Sequence, residues 1–119
     1  TIMNRIAKGY SDEQIKDMAV FFARQELRLT PQQHDPALAA LGADLHDEYC
    51  EKCHIEGGRP GDAGILAGQW MPYLEFSMND FLQGHRQWPR KMERKVDAAI
   101  EAEGDLAVPA LIHYYGSQD

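Results

Sequence analysis

Cysteine is scarce in this chain, two residues in 119, which excludes a multi-bridge disulfide framework. Long apolar runs are missing too. No stretch approaches the ~20 residues that a bilayer-crossing helix needs, so no membrane span is expected. No signal peptide stands at the start. The sequence opens on Thr1 rather than Met, and removal of a leader or of a longer segment is expected. Basic residues are outnumbered, 12 against 19 acidic, for a formal charge of -7, which argues against nucleic acid as a partner. Convincing strand patterns are also lacking. What remains is globular in composition, 44% hydrophobic and 26% charged, and its length suits one domain. The core of such a domain is modest in size unless a bound prosthetic group enlarges it.

The patterns that are present are helical. Ser11-Asp12-Glu13-Gln14 has the form of a capping box, with Ser11 as N-cap and Gln14 reaching back. Ile15, Met18, Ala19, Phe22 and Ala23 follow at helical spacing and predict one buried face, on which Met18 reads as core filler. This helix is expected to end near Leu29, before a linker, Thr30 to Pro36, that contains two prolines. A second helix is expected from Pro36 or Ala37 to about Cys50, with Leu38, Leu41, Leu45 and Tyr49 on one side. Gly57 to Gly68 is glycine-rich and predicts irregular chain. Pro72 to about Leu82, Met92 to about Ala102, and Leu106 to about Tyr115 predict three further helices, the last two separated at Glu103-Gly104-Asp105.

A weak internal repeat runs across this pattern. Met3-Asn4-Arg5-Ile6-Ala7 resembles Met92-Glu93-Arg94-Lys95-Val96, and Phe21-Phe22-Ala23-Arg24-Gln25 corresponds to Tyr114-Tyr115-Gly116-Ser117-Gln118. Two amphipathic helices can match by chance; the other reading is that the chain opens with the tail of an incomplete copy of its own domain.

Both cysteines lie in Tyr49-Cys50-Glu51-Lys52-Cys53-His54, a spacing that serves three chemistries. A thioredoxin-like dithiol wants Cys-x-x-Cys at the start of a helix, where the N-terminus depresses the thiol pKa. Here the motif closes a helix. A structural zinc site needs four ligands, and His34, His46, His54, His85 and His113 include no pair at a ligand spacing. Cys-x-x-Cys-His also supplies two thiols for the vinyl groups of one porphyrin and an imidazole for its iron. Covalent c-type haem is the reading these residues favour, with Cys50 and Cys53 as attachment points and His54 as axial ligand.

A second axial ligand is then needed, and a methionine thioether there raises the reduction potential. Met18 and Met78 fall within helices and read as packing, and Met3 precedes the linker. Met71 follows His54 closely, beside Trp70 and Pro72. Met92 stands farther on, after the loop Gly84-His85-Arg86-Gln87-Trp88-Pro89, with enough chain between to reach the far face of a haem. Met92 is preferred.

Gly42, Tyr49, Cys50-Glu51-Lys52-Cys53-His54, Leu66-Ala67-Gly68-Gln69, Tyr73-Leu74, Phe81, Gly84, Arg86 and Met92 together resemble a class I cytochrome c of the kind found in di-haem periplasmic cytochromes. More narrowly, "YCEKCHIEGGRPGDAGILAGQWMPYLEFSMNDF" and "IMNRIAKGYSDEQI" are similar to the cytochrome subunit of flavocytochrome c sulfide dehydrogenases. The resemblance implies an all-α, mono-haem class I cytochrome c domain over 37–119, preceded over 1–36 by a helix and linker left from an incomplete first cytochrome domain. It implies Cys50 and Cys53 as thioether positions, and His54 and Met92 as iron ligands. Met3 matches the distal ligand of a first domain that has no attachment motif here. It further implies one covalent haem c, FAD on a flavoprotein partner that oxidises sulfide, a soluble cytochrome c as electron acceptor, and a periplasmic location. The subunit performs no catalysis alone. A free-standing mono-haem shuttle, and a zinc or dithiol module without haem, are the alternatives.

Two departures from that pattern stand out. The proline whose carbonyl orients the proximal imidazole in many class I cytochromes is replaced by Ile65 or a neighbour, and His46 occupies a place where an aromatic usually packs. His46 is expected to be a packed or half-exposed histidine rather than a ligand. Arg86, Arg90, Lys91, Arg94 and Lys95 crowd around Met92. They suit a solvated helix start, neutralisation of haem propionates, or docking of an acidic partner equally well.

Overall fold

The computed structural model describes residues 2–26, 28–29, 31–59 and 63–118. Thr30 of the expected linker and Pro60 of the glycine-rich stretch lie outside them. Among the described residues the fold is all helical and no strand forms, and no helix is long and apolar enough to cross a membrane.

The N-terminal segment forms α1 (Ile2–Ala7) and α2 (Asp12–Ala23). The capping box is present as the sequence predicts: the Ser11 hydroxyl accepts from the Gln14 amide, and the Gln14 side chain accepts from the Ser11 amide. The predicted buried face is not. Neither α1 nor α2 buries a single residue; Met18 is 37% exposed and Phe22 68%, so Met18 is not core filler. Amphipathic spacing and caps suffice to specify a helix locally, but burial needs a partner surface. Helix α2 also stops at Ala23 rather than near Leu29. The Gln25 side chain donates to the Phe21 carbonyl and closes the last turn.

The chain then straps itself to the rest of the molecule. Gln32 donates to the Gln69 carbonyl at 3.0 Å and accepts from the Met71 amide at 2.9 Å, and the Asp35 amide donates to His113 Nδ1 at 2.8 Å. Helix α3 (Pro36–Leu45) starts on the Asp35 carboxylate, which accepts from the amides of Ala37 and Leu38. Pro36 sits in the first turn, where a missing N–H does no harm. Past Leu45 the helix widens into a π-helical turn, His46–Cys50, with the Glu51 amide bonded to the His46 carbonyl at 2.8 Å.

Three later helices complete the core: α5 (Met71–Leu82), α6 (Arg90–Glu103) and α7 (Ala107–Gly116), with a single kinked turn, α4 (Ile55–Gly58), whose Glu56 and Gly57 are not right-handed helical, between the cysteine motif and α5. The dominant contact is α3 against α7. Gly42 makes it possible, because a Cβ there would stand 2.1 Å from the Ala110 carbonyl oxygen. Around that crossing Leu45, Leu74, Ala99, Ala110, Leu111 and Tyr115 are buried. Leu38, Leu41 and Tyr49, on the side predicted for the second helix, pack against them, and Cys50 does too. The radius of gyration, 16.0 Å, exceeds the roughly 13.5 Å of a compact chain of this length.

Candidate functional site

The π-helical turn carries Cys50 into the core and leaves Cys53 at the surface. The Cys50 carbonyl accepts from the amides of both Cys53 and His54, at 3.0 and 2.9 Å, so Cys50, Cys53 and His54 occupy one tight turn. Burial pushes the Cys50 thiol up, against smaller opposing effects from the Tyr115 hydroxyl and the Lys95 charge. That is the reverse of what an attacking dithiol needs.

His54 is half-buried, and burial, with a smaller contribution from His46, pushes its imidazole below the ordinary value. A neutral imidazole is the form that can ligate a metal. Its Nδ1 is buried and finds no hydrogen-bond partner among the described residues. Ligating histidines normally have an acceptor at the non-ligating nitrogen, and replacement of the usual proline near Ile65 left its identity open.

Met92 lies in the first turn of α6, half-buried. It shares a face with Val96 and Ala99, both buried. Helix α6 packs against the π-helical turn and against α7, and the Lys95 ammonium lies 5.4 Å from the centre of the Tyr49 ring. The rival methionine is differently occupied. Met71 packs into the core cluster, and a Cβ on Gly116 would meet its Sδ at 2.6 Å. Arg86, Arg90, Lys91, Arg94 and Lys95 are all exposed. Before α6 the loop folds back on α5, with Trp88 stacked on Phe81 at 5.0 Å and the Arg86 guanidinium 4.6 Å from the Phe81 ring centre.

Sequence reasoning gave no role to Glu51 or Tyr115 and expected only a packed or half-exposed His46. The structure joins the three. His46 is fully buried; its Nε2 lies 2.5 Å from a Glu51 carboxylate oxygen and its Nδ1 2.9 Å from the Tyr115 hydroxyl. A carboxylate only accepts, so Nε2 carries the proton and, in the neutral ring, Tyr115 donates to Nδ1. Burial pushes the Tyr115 phenol far up, so it keeps the proton it donates. Glu51 also accepts from the amides of Glu56 at 3.0 Å and Gly57 at 3.4 Å. The bond to His46, ahead of these two, holds its carboxyl below the usual range. Asp47 approaches the same group, but both ring nitrogens of His46 are already engaged. The available signals were faint: an acid between the cysteines, and an aromatic pair in the last turn of α7.

Compared with known proteins, the chain matches no family model, and no curated protein is significantly similar to it.

Proposed function

We propose that this chain is an electron-transfer protein of the class I cytochrome c type, carrying one covalent haem c. Cys50 and Cys53 would hold the haem through thioethers, with His54 and Met92 as its axial ligands. Bound there, the haem supplies a one-electron ferric–ferrous couple. The observation that carries the reading is the single turn holding two thiols and a half-buried imidazole of lowered basicity. The raised Cys50 thiol favours this reading over a dithiol. The packing of the Met71 sulfur against Gly116, set beside the inward helix face of Met92, favours Met92 as the second ligand.

The chain's own residues have three tasks in this function. The Cys50–His54 turn fixes the attachment points. The half-buried surroundings of His54 keep its ring neutral and able to ligate. The exposed cations around Met92 would neutralise haem propionates or dock an acidic partner.

The resemblance of residues 37–118 to flavocytochrome c subunits supports a narrower proposal: the chain serves a periplasmic, FAD-containing flavoprotein that oxidises sulfide, with a soluble cytochrome c as acceptor. The wet apolar residues of α1 and α2 favour a subunit over a free-standing shuttle, because apolar patches mark interaction surfaces.

The test is the intact mass and visible spectrum of the protein from a host that attaches c-type haem. The expected result is one haem mass per chain and a Soret band that survives acid–acetone extraction. Loss of that band on extraction sinks the reading. Met92→Ala should remove the weak far-red iron–sulfur band, and its persistence transfers the ligand role to Met71. Co-purification of a yellow flavin subunit decides between subunit and shuttle.

A further inference from the structure

The ring of His54 has no orienting hydrogen bond of its own among the described residues. Its direction is therefore set by the packing around the half-buried ring and by the backbone at either side. Before it, the His54 amide is tied to the Cys50 carbonyl. After it, the chain takes two successive left-handed residues, Glu56 at φ 53° and Gly57 at φ 72°, and a third positive φ follows at Gly58, 85°. Glycine adopts that conformation freely, but a glutamate does so only where its surroundings impose it.

The amides of those two residues both point to Glu51. The Glu51 carboxylate is aimed by buried His46, and His46 by the Tyr115 hydroxyl on α7. A line of hydrogen bonds thus runs from the last helix, through the π-helical turn, to the left-handed turn just past His54. The position between the cysteines thereby has a task that the attachment chemistry alone does not give it.

We propose that Glu51 is a positioning residue, whose carboxylate, aimed by His46 and Tyr115, clamps the left-handed turn at Glu56 and Gly57 and so sets the orientation of the His54 imidazole. The part of this that concerns iron ligation rests on the haem reading above; the clamp itself does not.

The experiment compares wild type with Glu51→Ala and Glu51→Gln, expressed as the full chain in a host that attaches c-type haem. Backbone amide exchange is the first readout. In Glu51→Ala the Glu56 and Gly57 amides should exchange about tenfold faster or more. The Gln83 amide, which bonds to the Asn79 carbonyl at the end of α5, should keep its rate. Glu51→Gln retains one acceptor oxygen and should restore most of the Glu56 protection; it also serves if the alanine variant does not fold. The second readout is the electron paramagnetic resonance spectrum of the ferric protein, whose g values respond to the plane of the axial imidazole. Glu51→Ala should shift them, and Glu51→Gln should bring them back.

Unchanged exchange at Glu56 and Gly57 overturns the proposal. So does a uniform rise across α3 and α7, the mark of a residue that only supports the fold. Faster exchange with unmoved g values overturns the link to His54. If wild type carries no haem, the functional reading fails while amide exchange still decides for or against the clamp.

Discussion

Glu51 and His46 form a pair whose pH behaviour follows from its geometry. The carboxyl of Glu51 is held low by the His46 ring and then by the Glu56 and Gly57 amides. A carboxyl whose folded-state value is depressed stabilises the fold above its unfolded value of about 4.3, and that contribution is lost as pH falls through the folded value. Wild type should therefore exceed Glu51→Gln in stability by its full margin at neutral pH, and the gap should close well below pH ~4. Urea denaturation of both proteins across that range measures it, and a gap independent of pH refutes the assignment. The residues with a chemistry of their own, Cys50, Cys53 and His54, were legible in the sequence because five positions suffice to write the motif. Glu51, His46 and Tyr115 were not. Their meaning comes from a contact between residues 69 positions apart, and nothing in local spacing encodes it.

At the level of elements, local signals specified helices well and their burial poorly. Ser11 and Pro36 marked helix starts that the structure reproduces, because such signals act within a few residues of themselves. The widening of α3 into a π-helical turn left no local mark, since it serves to bring His46 and Cys50 to α7. Gly42 was noted as part of a family pattern, and the structure supplies its reason. A Gly42→Ala substitution sets a Cβ against a backbone carbonyl that cannot rotate away, and it should destabilise the protein by about 3 kcal/mol or more. A thermal melt or urea titration checks this; a loss within about 0.5 kcal/mol would mean that α3 and α7 separate at little cost.

At the scale of the whole molecule, the repeat noticed in the sequence acquires a contrast. Phe21 and Phe22 meet edge to face at 5.3 Å, and Tyr114 and Tyr115 also stand 5.3 Å apart. The second pair packs on His46, while both rings of the first are exposed. Helices this short are marginal without packing, so α1 and α2 should open far more often than the core. Chymotrypsin should cut first after Tyr10, Phe21 or Phe22. Tyr73 and Phe76 are comparably exposed, but they lie on α5, which Leu74 anchors in the core. Mass spectrometry of early digests reads the order directly, and a first cut at Tyr73 or Phe76 contradicts it.

The near-touch of α3 and α7 at Gly42 also has a mechanical meaning. Gly42 is a fulcrum, and the helical stretch from there to Cys50 is a lever about 12 Å long. A tilt of about 5° at the crossing would swing the tip by about 1 Å over that length. With no side chain between the two backbones, the joint has almost no play. The placement of Cys50 is thus fixed two helical turns away from it, by an atom that residue 42 does not have.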